Sequence, residues 1–243
     1  MALFSTKLQA QEKQENTFGY FNSLAIGANI GTTGWGIDIA TPLGNHFALR
    51  AGFTIMPNFS YTEDVDVSVN YSSSYIPDGE IPASIEVEGS MGRTAGEIVL
   101  NYYPFKRSSF FIAGGAVFGG DKIIKVKGHS DDLAGYQELA GKAGIEIGDY
   151  TIPVDPDGNV SGGIKVSSFR PYVGLGFGRI VPKNKRLGFL FELGVQLHGK
   201  PEVYTDYGNL GDLVEEADNE FSDILDQITV YPVLRFRLCG KIF

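Results

Sequence analysis

The chain has 243 residues, with 29 acidic and 20 basic side chains and a formal net charge of −9. An acidic protein of this kind is a poor partner for nucleic acid, which requires a basic surface. The single cysteine, Cys239, excludes an internal disulfide, and the three scattered histidines lack metal-ligand spacing, so we expect neither a metal nor a cofactor.

The first sixteen residues do not have the pattern of a folded core. "LQA" (8–10), followed by a polar run, is similar to the end of a secretory signal with cleavage after Ala10. The alternative is a disordered tail. We therefore expect residues 1–16 to be a signal-peptide remnant or a disordered tail, and residues 17–243 to form a single domain.

Eight later segments alternate apolar residues with small or charged ones, and this period of two indicates β-strands. In 186–199, every second residue from Leu187 to Leu197 is apolar, whereas Gly188, Glu192 and Gly194 lie between them. The eight predicted strands are, in chain order, 17–31, 35–40, 47–55, 96–103, 110–118, 172–178, 186–199 and 230–243.

Short and long links alternate between these strands. The short turns are rich in Pro, Gly, Asn and Lys. They cover 41–45, 104–109 and 181–186, whereas the other links cover 31–34, 57–92, 120–168 and 199–228. Four alternating segments inside the long links are predicted to extend strands beyond the main sheet, namely 65–69, 84–88, 122–128 and 162–168.

The chemistry of the two strand faces distinguishes the two all-β solutions that close eight strands. A soluble ligand-binding barrel shows a polar exterior to water, whereas a membrane barrel shows its apolar face to lipid. Here the second face consists of Gly, Ala and Ser with a few charges, which suits the interior of a narrow barrel. The sequence therefore predicts an eight-stranded antiparallel up-and-down transmembrane β-barrel with short periplasmic turns and long external loops.

The charged residues of the inward face nearly balance. The acids are Asp38, Glu97 and Glu192, and the bases are Arg50, Arg235 and Arg237. Buried charges must pair, because each unpaired one costs several kcal/mol. We predict one network of all six in the lumen, with Glu192 facing an arginine. The alternative is a wider, wet pore with separately solvated charges.

Two other features agree with a membrane barrel. The apolar runs have the length that a tilted strand needs to cross a bilayer. Aromatic residues near the ends of these runs are predicted to mark headgroup depth; they are Tyr20, Trp35, Phe47, Tyr102, Tyr103, Phe110, Tyr172 and Tyr231.

Two motifs in the long links predict local structures of other kinds. In 207–228, apolar residues recur every three or four positions, which predicts a short acidic amphipathic helix that either covers the barrel mouth or binds a partner. "DPDGN" (155–159) has the aspartate spacing of a calcium loop, but its twelfth position is Val166 instead of an acid, so a simple turn is favoured.

The chain resembles the small eight-stranded outer-membrane barrels of Gram-negative bacteria, of the OmpA, OmpX and OmpW kind. The resemblance covers residues 17–243 and is carried by "RPYVGLGFGRIVPKNKRLGFLFELGVQLHG" (170–199), by "YPVL" (231–234) and by the terminal Phe243. It implies export to the cell outer membrane, contact with outer-membrane lipid, and recognition by the barrel-assembly machinery. Lys241, Cys239 and Arg237 depart from the family's apolar phase, which a bulge near Gly240 would restore.

Three functions follow as hypotheses. The first is a non-enzymatic barrel that presents an extended acidic extracellular region for envelope integrity, adhesion or binding of a protein partner at the external loops. The second is a diffusion channel for apolar or small solutes. The third and least favoured is a lipid A-modifying enzyme, because Glu192 lies too far along its strand to orient His198.

Overall fold

The computed structural model describes residues 19–69, 84–134, 143–147, 150–183, 185–208, 211–212 and 227–243. These residues contain fourteen strands, all in antiparallel pairings. The elements are β1 (Ala25–Gly31), β2 (Gly34–Leu43), β3 (Phe47–Val69), β4 (Ser84–Tyr102), β5 (Phe110–Phe118), β6 (Lys122–His129), α1 (Asp131–Ala134), β7 (Ala143–Ile147), β8 (Tyr150–Pro153), β9 (Asn159–Lys165), β10 (Phe169–Gly178), β11 (Leu187–Leu197), β12 (Glu202–Thr205), β13 (Gly211–Asp212) and β14 (Val230–Lys241).

Eight of the strands form a closed barrel in the order β1, β2, β3, β4, β5, β10, β11 and β14, and β14 pairs back onto β1. They correspond to the eight strands predicted from alternation, although β1 begins at Ala25, later than predicted. The predicted eight-stranded antiparallel barrel is confirmed. The short turns at 44–46, 103–109 and 179–186 lie at one end of the barrel. The long connections lie at the other end, together with the two-residue turn between β1 and β2. Among the described helical residues, no segment is both long enough and apolar enough to cross a membrane.

The barrel is apolar outside and polar inside. Its exposed side chains include Ile37, Ile39, Leu175, Phe189 and Leu238, all on the parity predicted to face lipid. Residues of the other parity are small or buried, so adjacent strands pack closely around a narrow interior. This arrangement is stable only where the exterior contacts hydrocarbon instead of water, because so large an apolar surface is unfavourable in water.

The predicted aromatic belt needs a correction. Tyr20, Trp35, Phe47 and Tyr102 are exposed on the barrel surface. Tyr103 and Tyr172 are almost fully buried, and they therefore cannot contact lipid headgroups. Tyr172 has the inward parity of its strand, and parity, not residue type, determines the side on which it lies.

The predicted bulge near Gly240 is also wrong. The pairing of β14 with β1 and with β11 continues without a register shift through Gly240. The strand ends at Lys241, and Phe243 lies beyond it, with its carbonyl oxygen accepting a hydrogen bond from the Leu24 amide.

Strands β3 and β4 continue past the barrel and carry a second sheet. We call it the extracellular sheet, because it lies at the end of the long links, which the sequence predicts to be external. A register shift between Met56 and Phe59 marks the transition. The extracellular sheet has the order β12, β9, β6, β4, β3, β7, β8 and β13, and the Val154–Val160 bridge joins β8 to β9. It encloses a separate apolar cluster formed by Ile85, Val87, Val126, Ile145, Ile152, Val154 and Val160.

Most of the helix predicted at 207–228 lies outside the described residues, which omit 209–210 and 213–226. Within that stretch, Gly211 and Asp212 pair with β8 as a strand. At the "DPDGN" motif, Asp155 Oδ1 accepts hydrogen bonds from the backbone amides of Asp157 and Asn159. Gly158 has a φ of +77°, and the motif is a turn leading into β9.

Candidate functional site

The barrel interior brings together the six charged residues singled out in the sequence. We call Asp38, Arg50, Glu97, Glu192, Arg235 and Arg237 the lumen network. They come from five of the eight barrel strands, β2, β3, β4, β11 and β14, so their contacts join strands across the lumen. None of the six is more than 5% exposed.

Four members of the lumen network form one cluster. Arg50 donates two hydrogen bonds to Glu192, with Nη1 at 2.9 Å from Oε2 and Nη2 at 3.1 Å from Oε1. Arg235 contacts Glu97 in the same bidentate manner, at 3.0 and 2.6 Å. The two pairs are linked, because Arg50 Nε lies 3.5 Å from Glu97 Oε1 and Arg235 Nη1 lies 3.8 Å from Glu192 Oε1. Each carboxylate therefore contacts two guanidinium groups, a geometry that offsets the cost of burying them.

The remaining pair, Arg237 and Asp38, lies closer to the end of the barrel that carries the short turns. Arg237 Nε is 2.8 Å from Asp38 Oδ2, and its Nη2 is 2.5 Å from Oδ1. Arg237 Nη1 also donates to the Ile180 carbonyl oxygen at 2.9 Å. Gly27 provides the space for this guanidinium, because a Cβ atom at that position would lie 2.3 Å from Arg237 Nε.

Two further contributions to the lumen were not predicted from the sequence. Tyr172 donates a hydrogen bond from its hydroxyl to Glu192. The turn after β10 folds inward, so that Ile180 and Val181 are buried in the apolar cluster at the barrel base and the Ile180 amide donates to the Tyr103 hydroxyl at 2.9 Å. In the sequence, this inward turn is indicated by the apolar pair Ile180 and Val181, which lies in a turn otherwise rich in Pro and Lys.

Above the lumen network, the barrel widens into a cavity of about 420 Å³, which we call the mouth cavity. It lies where β3 and β4 leave the barrel for the extracellular sheet. Its lining residues are Met56, Phe59, Met91, Arg93, Ile123, Ile124, Val166, His198 and Tyr231. From the sequence, His198 is a candidate only for catalysis and Tyr231 only for the aromatic belt, and nothing predicts the other lining residues as a site.

The extracellular sheet has ordinary surface charges. Lys122 Nζ lies 3.0 Å from Asp206 Oδ1, and this hydrogen bond raises the pKa of Lys122 and lowers the pKa of Asp206. Hydrogen bonds to Asp131 and Asn159 raise the pKa of His129 above its usual 6.5. Both ring nitrogens of His129 are engaged in these contacts, at 2.8 and 3.2 Å.

An apolar belt around a barrel with a charged, buried lumen defines a class of protein. The chain has the fold of a small eight-stranded transmembrane β-barrel.

No protein-family model and no curated protein sequence matches the chain. Among solved structures, it is similar to CarO2 of Acinetobacter baumannii, with 16% identity over 92% of this chain and 99% of that one and a TM-score of 0.50. It is also similar to CarO of the same organism, with 18% identity, 89% and 96% coverage, and a TM-score of 0.48. At these identities the likeness concerns the fold, and the CarO2 match agrees with the barrel described above.

Proposed function

We propose that the protein is a non-enzymatic outer-membrane anchor whose sealed barrel holds the extracellular sheet away from the membrane for binding a protein partner. The observation that carries this proposal is the closed lumen. The side chains of Arg50, Glu192 and Arg237 have no exposed surface. Ile180 is also fully buried, and its side chain blocks the base of the barrel. A barrel of eight strands has room only for its own side chains, and here they fill it.

Within the described part of the chain, the surroundings of His198 and His129 disfavour the alternative that the protein is an enzyme. His198 Nδ1 has no hydrogen-bond partner, so no carboxylate orients the ring as a general base. His129 engages both of its ring nitrogens with Asp131 and Asn159, which leaves no nitrogen free to activate a nucleophile.

The edge strand β12 is the part of the extracellular sheet best suited to bind a partner. Among the described residues, β12 pairs only with β9. The Asp206 amide donates to the Ser161 carbonyl oxygen at 2.9 Å, which fixes the alternation of hydrogen-bonded pairs along the strand. The amides of Val203 and Thr205 therefore point away from β9, where an added strand would accept their hydrogen bonds.

Electrical recording in planar bilayers tests the sealed lumen. We expect the wild-type protein to show no single-channel current steps. The triple variant Glu97→Ala, Arg235→Ala and Ile180→Gly removes one ion pair and the side chain that blocks the base, while Arg50 stays paired with Glu192, and it should produce steps by opening the lumen. Current steps from the wild-type protein would contradict the anchor and support the diffusion-channel alternative.

Capture of outer-membrane proteins by the full chain in detergent tests the partner site. Val203→Pro removes an outward amide while leaving the bonds to β9 intact, and it should abolish capture of any specific partner. Val203→Thr keeps both the amide and the β-branched shape, so capture should persist. Equal capture by both variants would place the partner elsewhere.

A further inference from the structure

The mouth cavity combines an apolar wall with two polar groups, Arg93 and His198 Nδ1, for which the described part of the chain provides no hydrogen-bonding or acidic partner. In β4, Glu97 and Val99 point into the barrel, and Met91 and Arg93 lie on the same parity. Phe59 is paired with Met91, and Met56 is paired with Arg93. Because paired residues point to the same side of a sheet, all four side chains face the interior and not the lipid.

The apolar wall is unusual because it is inside the molecule yet in contact with water. Phe59 is 65% exposed and Met91 is 48% exposed, although both face the mouth cavity. Its volume of about 420 Å³ lies in the range typical of small-molecule sites, and barrel mouths are a common location for such sites.

The polar groups of the cavity favour an anion. Arg93 stacks on the Tyr231 ring, with its guanidinium carbon 4.9 Å from the ring centroid, and among the described residues no carboxylate forms an ion pair with it. His198 is 94% buried, since only 6% of it is exposed, and its Nδ1 has no hydrogen-bond partner. No lining residue is acidic.

A third positive charge acts on the same region. Arg170 interacts electrostatically with both Arg93 and His198. Its terminal nitrogens donate to the carbonyl oxygens of Ser167 and Gly119, which hold the guanidinium in place. Asp121 attracts it electrostatically, but among the described residues no carboxylate forms an ion pair with it. A cation in the cavity would be repelled, and an uncharged apolar molecule would leave Arg93 and His198 without partners.

We propose that the mouth cavity binds a small amphipathic organic acid, with its apolar part against Met56, Phe59 and Met91 and its acidic group against Arg93 and His198. The acid forms a charge-assisted hydrogen bond with the Arg93 guanidinium. The His198 ring donates a second hydrogen bond from Nδ1 when the proton is on that nitrogen. This site is separate from the β12 edge and does not depend on a protein partner.

The methionines make a direct test possible, because the chain contains only Met1, Met56 and Met91. We would label their methyl groups with carbon-13, place the protein in lipid nanodiscs, and titrate with hexanoate while recording methyl NMR spectra. The Met56 and Met91 signals should shift and saturate, whereas empty nanodiscs and the Met1 signal give the background. The absence of a saturable shift at Met56 and Met91 would overturn the proposal.

Two variants and an uncharged probe distinguish recognition of the acidic group from nonspecific hydrophobic binding. Arg93→Gln should weaken hexanoate binding by about tenfold, the loss typical of one charge-assisted hydrogen bond. Arg107→Gln, an exposed arginine in the turn at the opposite end, should leave it unchanged. 1-Hexanol has the same chain length without the charge and should bind wild type and Arg93→Gln equally weakly.

His198→Phe provides an independent measurement if Arg93→Gln does not fold. This variant keeps an aromatic ring but removes Nδ1, and it should weaken hexanoate binding severalfold. Hexanoate affinity that is the same in wild type and His198→Phe, or equal to that of 1-hexanol, would show that the cavity does not recognise an acid.

Discussion

The barrel and the extracellular sheet are both antiparallel β-structures, but they bury opposite kinds of side chain. The barrel encloses the lumen network and exposes its apolar residues, whereas the extracellular sheet encloses Ile152 and Val160 and exposes its charges. The difference is a matter of surroundings, because hydrocarbon contacts one region and water contacts the other.

Within the single strand β4, the polar and the apolar faces exchange sides. In its barrel part Glu97 points inward and Ile98 outward, whereas in its extracellular part Ile85 and Val87 are buried and Glu86 is exposed. Both faces of the strand therefore change polarity between residues 88 and 96. This change locates the membrane boundary along the strand more sharply than the aromatic residues do.

The largest effect on the free energy of unfolding is expected for Arg50→Met, which removes one arginine of the lumen network. It leaves Glu192 and Glu97 buried with one guanidinium in place of two, so we expect the barrel to lose about 3–5 kcal/mol of unfolding free energy. The single tryptophan, Trp35 on the barrel wall, reports urea-induced unfolding in lipid vesicles by fluorescence. Arg107→Met, in an exposed turn, should leave the midpoint unchanged. If Arg50→Met unfolds as wild type does, the lumen network does not hold the barrel.

The corresponding change in the extracellular sheet is Ile152→Ala, in a side chain with no exposed surface. Deleting its buried methyl groups should cost about 2–5 kcal/mol, but within the extracellular sheet alone. Trypsin should then cleave more quickly at Lys125 and Lys127, while Trp35 unfolding stays constant. Ile152→Val should show a smaller acceleration. An equal fall in the Trp35 midpoint would show that the two regions unfold as one unit.

Gly27→Ala sharpens the comparison by adding a single methyl group to the lumen. The new Cβ would meet Arg237, whose guanidinium cannot move without leaving Asp38 and the Ile180 carbonyl, so we expect a loss of about 1–3 kcal/mol. Gly114→Ala is the matched control, because no heavy atom lies within 4 Å of its added Cβ. Equal Trp35 unfolding midpoints in the two variants would mean that the lumen is loosely packed at this level.

The smallest effect is expected at the exposed Lys122–Asp206 pair. Lys122→Met should cost less than about 1 kcal/mol, because both side chains are more than 40% exposed. Because the pKa of Asp206 is lowered and that of Lys122 is raised, the contribution should be lost as the pH falls through the former or rises through the latter. Amide hydrogen exchange in 159–165 measures it, with Lys125→Met as control. A pH-independent difference would show that lost packing on Tyr204 causes the effect.

The barrel could be predicted from the sequence because two local signals agree along it. A period of two identifies the strands, and a second face of glycine with balanced charges identifies the interior. Glu192 and Arg235 lie on that face in sequence, and their strands are neighbours in the sheet. Which arginine each acid contacts depends on the register of strands far apart in the chain, as for Arg50 and Glu192, and no local signal specifies it.

The extracellular sheet and the mouth cavity were less predictable for a physical reason. Pairing of β6 with β4, or of β7 with β3, joins segments across long links, and alternation alone does not choose partners. The mouth cavity arises at the shift between Met56 and Phe59, where the two sheets diverge. Its signal, a sequence with Met and Arg where small residues would be expected on the inward face, is visible only once the barrel rim is known.

The position of the two arginines in β14 has a consequence for biogenesis. Until this last strand arrives, the lumen network holds three carboxylates against Arg50 alone, a local imbalance of two negative charges. Closing the cylinder and neutralising its interior are therefore a single event. A chain that ended before residue 230 would lack the strand that pairs with both β1 and β11, so the barrel would stay open. Two carboxylates of the lumen network would also lack their arginines, so such a chain would differ from the complete barrel in its electrostatics as well.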